Sequence, residues 1–142
     1  MSKAITLQKL KLMFHEYYSE DALSVDTPDR IHMREFALET WEKSWFCPTR
    51  RSKSGNVTVQ GCGASGTTFS WISKCPRCGS EGIQLNTWTR HLSYGSQDEL
   101  RKALMTKAPH SVYHSAAFYA LPVARMSAKE WQGAELVFDI DA

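Results

Sequence analysis

Long apolar runs are missing from this chain of 142 residues. Residues 1–14 scatter Lys3, Lys9 and Lys11 among single apolar side chains, so no signal-peptide core is present. No stretch reaches the length that spans a bilayer. These absences imply a cytoplasmic protein with no membrane partner. Net charge is also scarce: a formal value of +2 does not by itself imply a nucleic-acid partner. The five histidines include no His-Glu-x-x-His of a metalloprotease. No Ser-His or Cys-His arrangement suggests a protein nucleophile, and there is no internal repeat or low-complexity tract. The four cysteines are few, and in a reducing compartment clustered cysteines are metal ligands more often than disulfides. The length suits one domain with a sizeable core.

Leu7, Leu10, Phe14 and Tyr17 recur at helical steps, which predicts an amphipathic first helix with these residues inward. Asp26-Thr27-Pro28-Asp29 reads as a turn or a cap. Residues 31–38 suggest a strand whose alternation slips at Arg34-Glu35, a possible bulge. That adjacent pair, taken alone, reads as solvated. Residues 86–94 alternate like a second strand that Gly95 ends. Ser96-Gln97-Asp98-Glu99 is a capping box opening a helix through Leu100, Leu104 and Met105, and Ala108-Pro109 closes it. A last strand is expected over 134–141. The pattern is α+β, a mixed or antiparallel sheet with flanking helices.

Residues 45–82 hold all four cysteines and six of the eight glycines. Cys75-Pro76-Arg77-Cys78-Gly79 is a zinc-knuckle turn, in which two thiolates bind one ion and the glycine lets the chain bend back. Cys47 and Cys62 can supply the other two ligands, although their spacing is not a second C-x-x-C. A segment this poor in aliphatic residues needs a staple, which favours structural Zn²⁺ over four ordinary buried cysteines. Arg50, Arg51, Lys53, Lys74 and Arg77 surround the knuckle, with Trp45, Phe69 and Trp71 interleaved. The mixture suits single-stranded nucleic acid, or equally a solvated loop over a small aromatic core.

The chain ends in Leu136-Val137-Phe138-Asp139-Ile140-Asp141-Ala142. As a strand, its period of two places Asp139 and Asp141 on one face, with Leu136, Phe138 and Ile140 on the other. Two adjacent carboxylates repel unless a divalent cation joins them, and Mg²⁺ or Mn²⁺ prefers such oxygens. Alternatively the two aspartates are turn or cap residues where a strand enters a loop.

Four blocks occur in order: Arg34-Glu35-Phe36, Arg90-His91-Leu92-Ser93-Tyr94, His114-Ser115-Ala116-Ala117-Phe118-Tyr119, and residues 131–142. Together they resemble the amino-terminal part of the small, catalytic subunit of archaeo-eukaryotic DNA primase, the archaeal form being nearer. The resemblance covers the chain apart from about residues 45–86. It implies the N-terminal part of the primase fold over 1–142, with 45–86 as an inserted zinc loop. It implies that Asp139 and Asp141 bind the catalytic Mg²⁺ or Mn²⁺, and that Glu35 and Arg90 line the nucleotide site. Cys47, Cys62, Cys75 and Cys78 would hold Zn²⁺.

The implied activity is two-metal nucleotidyl transfer, a DNA-directed RNA polymerase making short primers on single-stranded DNA from nucleoside triphosphates. The implied partner is the primase large subunit, and the setting the replisome in the cytoplasm. Two features depart from the family. Its zinc motif usually follows the aspartate pair, whereas here the cysteines precede it. Its Ser-x-His segment and third aspartate are not in the sequence, so a truncated fragment, inactive alone, is expected. Alternatives are a related primase-polymerase or ligase-associated polymerase domain, or a non-catalytic zinc-dependent nucleic-acid-binding module.

Overall fold

A computed structural model of the chain describes residues 2–21 and 26–138. It is α+β, with helix α1 (Lys3–Asp21), strands β1 (Phe36–Phe46), β2 (Arg50–Arg51), β3 (Val57–Val59), β4 (Ser65–Thr68) and β5 (Gln84–Leu92), then helix α2 (Gln97–Lys107) and strands β6 (Ser111–His114), β7 (Ala117–Tyr119) and β8 (Trp131–Ala134). The chain divides into two compact units. One comprises residues 1–10 and 41–87, the other residues 11–40 and 88–142.

In the second unit the first half of β1 pairs antiparallel with β6, from Phe36 opposite His114 to Glu39 opposite Ser111. Tyr18, Ile31, Phe36, Leu38, Leu100, Leu104 and Ala108 form its core, and Leu38 and Leu104 are fully buried. The period of α1 is the expected one, with Leu7, Leu10 and Phe14 on its less exposed face, and only the last expected position shifts by one residue. Tyr18 is buried and Tyr17 is half exposed, because Tyr18 follows Phe14 by one full turn and the two rings meet edge to face at 6.3 Å. Ser96 caps α2 by accepting the Glu99 N–H at 3.2 Å, and the Glu99 carboxylate accepts the Gly95 N–H at 2.6 Å. Those reciprocal bonds satisfy donors that the first turn leaves open.

Two strand boundaries move. Residues 31–33 form a 3-10 turn after Arg30, whose φ is 47°, so β1 begins only at Phe36. The slip at Arg34-Glu35 is therefore no bulge: both side chains leave the ladder for buried polar contacts. At the other end, β8 pairs antiparallel with β7 and its ladder ends with the Glu135 N–H on the Ala116 carbonyl at 3.0 Å. Leu136 and Phe138, expected in a strand, lie outside any strand and are 82% and 77% exposed.

In the first unit the second half of β1 pairs antiparallel with β4, from Lys43 opposite Thr68 to Phe46 opposite Ser65. The strands β1 and β5, which flank the cysteine segment, are neighbours in the sheet order. Strands β2 and β3 form a separate short ribbon. Among the described residues, the buried hydrophobic ones here are Trp41, Cys47 and Cys75, too few to form an aliphatic core.

Candidate functional site

The second unit concentrates its chemistry around Arg34 and Glu35, immediately before β1. Neither is solvated, contrary to the expectation from the pair alone: Arg34 is fully buried and Glu35 is 6% exposed. Burial of a guanidinium is tolerated only if its donors are paired. Here all five are used. Nε donates to the Asp29 carbonyl at 2.8 Å. Nη1 donates to the Ser115 carbonyl at 2.8 Å and to Glu135 Oε2 at 2.9 Å. Nη2 donates to Asp29 Oδ1 and to Glu135 Oε1, both at 2.6 Å. The guanidinium also lies 4.6 Å from the centroid of the Phe118 ring. This one side chain ties β8's exit, the β6–β7 turn and the approach to β1 together. Hydrogen bonds from Arg34 hold the Asp29 and Glu135 carboxyls below the usual carboxylate range.

Glu35 points the other way. Its Oε1 accepts Arg90 Nη2 and the His91 backbone N–H, each at 3.2 Å, and its Oε2 lies 3.4 Å from Lys129 Nζ. Lys129 is only 1% exposed; its ammonium also donates to the Pro122 carbonyl and lies 5.4 Å from the centroid of the Tyr119 ring. Burial pushes the Glu35 carboxyl up, but the His91 N–H and the Lys129 and Arg90 charges outweigh it, so its pKa falls below its ordinary value. The Ser115 hydroxyl accepts the Glu35 N–H at 3.0 Å and donates to the Ala117 carbonyl at 2.6 Å, fixing the backbone on both sides.

A cleft of about 160 Å³ opens beside this cluster, lined by Glu35, Ala37, Arg90, Tyr113, His114 and Ser115. The Arg90 side chain is 57% exposed, so most of its fork faces water rather than Glu35. A cation held by a buried carboxylate at a cleft mouth can receive an anionic oxygen without first finding its orientation. The structure thus brings the two expected nucleotide-site residues, Glu35 and Arg90, into direct contact. Asp139 and Asp141 lie outside the described residues. Arg34 was named only as one of a solvated pair, and neither Lys129 nor Glu135 was expected in the site. No local pattern marks them, since Glu135 meets Arg34 across 101 residues and Lys129 meets Glu35 across 94.

The first unit gathers the four cysteines. Their Sγ atoms all lie within 4.8 Å of one another, with Cys47–Cys78 and Cys62–Cys75 both at 3.7 Å. These distances are too long for disulfides. They match the edge of about 3.8 Å that four thiolates take around one Zn²⁺ at about 2.3 Å. The group could therefore hold a metal ion such as zinc.

Backbone geometry explains why non-standard spacing still converges. In the knuckle, the Cys75 N–H donates to the Ser80 carbonyl and the Gly79 N–H to the Cys75 carbonyl, with Gly79 at φ +76°. The opposite turn is built across β1 and the chain before β4. The Gly63 N–H donates to the Cys47 carbonyl, and the Cys47 N–H to the Ala64 carbonyl, both at 2.9 Å. A Cβ on Gly61 would meet the Pro48 carbonyl oxygen at 2.3 Å, so only glycine allows that close approach. Burial raises the Cys75 thiol, but the Cys78 and Arg77 N–H groups and the neighbouring sulfurs outweigh it and bring it to about 6. A thiol so placed is ready to serve as a thiolate ligand.

No protein-family model and no solved structure matches the chain. Curated proteins do. The chain is 50% identical over 54 residues to the DNA primase small subunit PriS of Methanocorpusculum labreanum, covering 37% of this chain and 14% of that protein. It is 51% identical over 53 residues to PriS of Pyrobaculum arsenaticum, covering 37% and 17%, and 45% identical over 58 residues to PriS of Sulfolobus acidocaldarius, covering 40% and 18%. The matched stretch therefore spans less than a fifth of each of these relatives. Over roughly two fifths of its length, the chain is similar to archaeal DNA primase small subunits, a fragment-length likeness.

Proposed function

We propose that this chain carries part of a DNA primase small subunit and serves template-directed nucleotidyl transfer, the synthesis of RNA primers on single-stranded DNA. The observation that carries the reading is the likeness to curated primase small subunits at 45–51% identity. The cleft of the second unit supports it. Arg90, half free of its partner, would take a phosphate oxygen of a nucleoside triphosphate by charge-assisted hydrogen bonds. Glu35 has both carboxylate oxygens engaged, so its role is to orient Arg90. Lys129 and the His91 N–H keep Glu35 ionised for that task.

Asp139 and Asp141 lie four and six residues beyond Glu135, which Arg34 holds. As hard oxygen donors they suit Mg²⁺ or Mn²⁺. When bound, such ions supply charge neutralisation at the reacting phosphate. The four cysteines hold Zn²⁺ as a structural centre. Nucleoside triphosphates, a single-stranded DNA template and the primase large subunit are the partners this reading requires, in the replisome of the cytoplasm.

The test measures binding of a fluorescent nucleoside triphosphate to the zinc-loaded chain while Mn²⁺ is titrated. Binding is expected to rise with Mn²⁺ and to be lost in Asp139→Ala and Asp141→Ala. Arg90→Ala should weaken nucleotide binding and leave Mn²⁺ binding intact. Nucleotide affinity that ignores both Mn²⁺ and Arg90 would end the proposal.

A further inference from the structure

Two clefts in the cysteine-bearing unit share a wall. One, of about 300 Å³, is lined by the start of α1 with Lys3, by Lys43, and by Phe69, Ser70 and Trp71. The other, of about 200 Å³, is lined by Lys43, Trp71, Leu85, Asn86 and Thr87. Trp71 and Lys43 belong to both. Trp71 is 75% exposed, a large apolar surface that folding leaves in water. Among the described residues, the charged side chains lining the two clefts are Lys3 and Lys43, with no carboxylate.

The wider setting is basic as well. Residues 41–87 contain Lys43, Arg50, Arg51, Lys53, Lys74 and Arg77 against Glu42 and Glu81. Four thiolates around one dication add two negative charges and leave the balance positive. A flat, exposed indole between lysine-lined clefts matches a ligand that alternates planar rings with anions. Protein interfaces deplete lysine because its ammonium is costly to desolvate, whereas a phosphodiester backbone compensates it. Bases present a free face only when unpaired.

We propose that Trp71 is a stacking platform for a base of single-stranded nucleic acid, with Lys43 and Lys3 taking the flanking phosphates. This site is separate from the Arg90 cleft and does not rest on nucleotidyl transfer.

The experiment uses the zinc-loaded 142-residue chain and fluorescein-labelled dT20 in anisotropy titrations, without nucleotide, Mg²⁺ or Mn²⁺. Trp71→Ala is expected to weaken binding about tenfold, the loss of one base–aromatic stack, and Trp71→Phe to restore most of it. An abasic oligonucleotide of the same length should bind wild type and Trp71→Ala alike. Lys43→Gln should reduce the log–log salt slope by about 0.7, one single-strand phosphate contact. Thermal melts of all variants should coincide with wild type, since Trp71 makes little of the fold's buried contact. Unchanged dT20 affinity in Trp71→Ala overturns the proposal, as does an equal loss on the abasic strand. Should Trp71→Ala alter only self-association in sedimentation, the surface serves a second copy and the proposal fails.

Discussion

Lys129 is the most exacting test of how the second unit is held. Its ammonium is 1% exposed and lies 3.4 Å from Glu35, which is itself buried. Replacing Glu35 by Gln keeps the shape and removes the charge. At an effective dielectric of about 20, the pair interaction at that distance is roughly 5 kcal/mol. The Pro122 carbonyl and the Tyr119 ring retain part of the stabilisation. Glu35→Gln is therefore expected to cost about 3–4 kcal/mol, within the range for breaking one side of a buried pair.

Lys129→Met removes the stranded charge. The double variant Glu35→Gln, Lys129→Met should recover about 2 kcal/mol relative to the sum of the singles, because contacting groups are not additive. Urea unfolding of the zinc-loaded chain, with m values compared, measures the cycle.

The pH arm has a definite sign. Glu35's folded pKa lies below its ordinary 4.5. Its contribution is therefore fully present above the unfolded value and is lost as pH falls through the lower, folded one. Wild type should lose stability relative to the double variant as pH drops below about 4.5, so its advantage is full near neutrality and narrows on acidification. Additive single variants, or parallel acid limbs, would refute a charge-coupled Glu35–Lys129 pair.

The remaining predictions concern the two units separately. Arg34→Met leaves the Ser115 and Asp29 carbonyls and the Glu135 carboxylate without their donor, so it should cost about 2–3 kcal/mol in the same urea assay. It should also release amide protection at Glu135, read by hydrogen exchange; protection unchanged there would show that Arg34 does not anchor the β8 exit. Cys75→Ser should abolish stoichiometric zinc in metal analysis and melt the first unit's circular-dichroism signature, since few apolar residues replace the staple. Retention of one zinc per chain would remove Cys75 from the ligand set.

How much of this was legible beforehand depended on range along the chain. The capping box of α2 could be read directly because Ser96, Glu99 and Gly95 meet within one helical turn. The knuckle at Cys75 and Cys78 was equally local. The convergence of Cys47 with Cys62 was inferred from ligand number, and only the fold shows how Gly61 and Gly63 let that pair close. The period of α1 was clear, while its phase at Tyr17 and Tyr18 was not, since adjacent tyrosines fit the same pattern equally well.

Sequence by itself determined which donors and charges this chain brings: four thiolates, an Arg-Glu pair, an aromatic-basic segment and the aspartates Asp139 and Asp141. Local spacing alone fixes such chemistry, because backbone geometry couples neighbours within a few residues. Tertiary structure decided which of those charges are buried and with whom. Arg34 reaches Asp29 and Glu135, Glu35 reaches Arg90 and Lys129, and the sulfurs meet at 3.7 Å. The partners of Arg34 and Glu35 that lie 55 to 101 residues away, unlike Asp29 only five residues from Arg34, leave no local trace. A buried charge finds its compensation only once strands and turns have brought distant segments together.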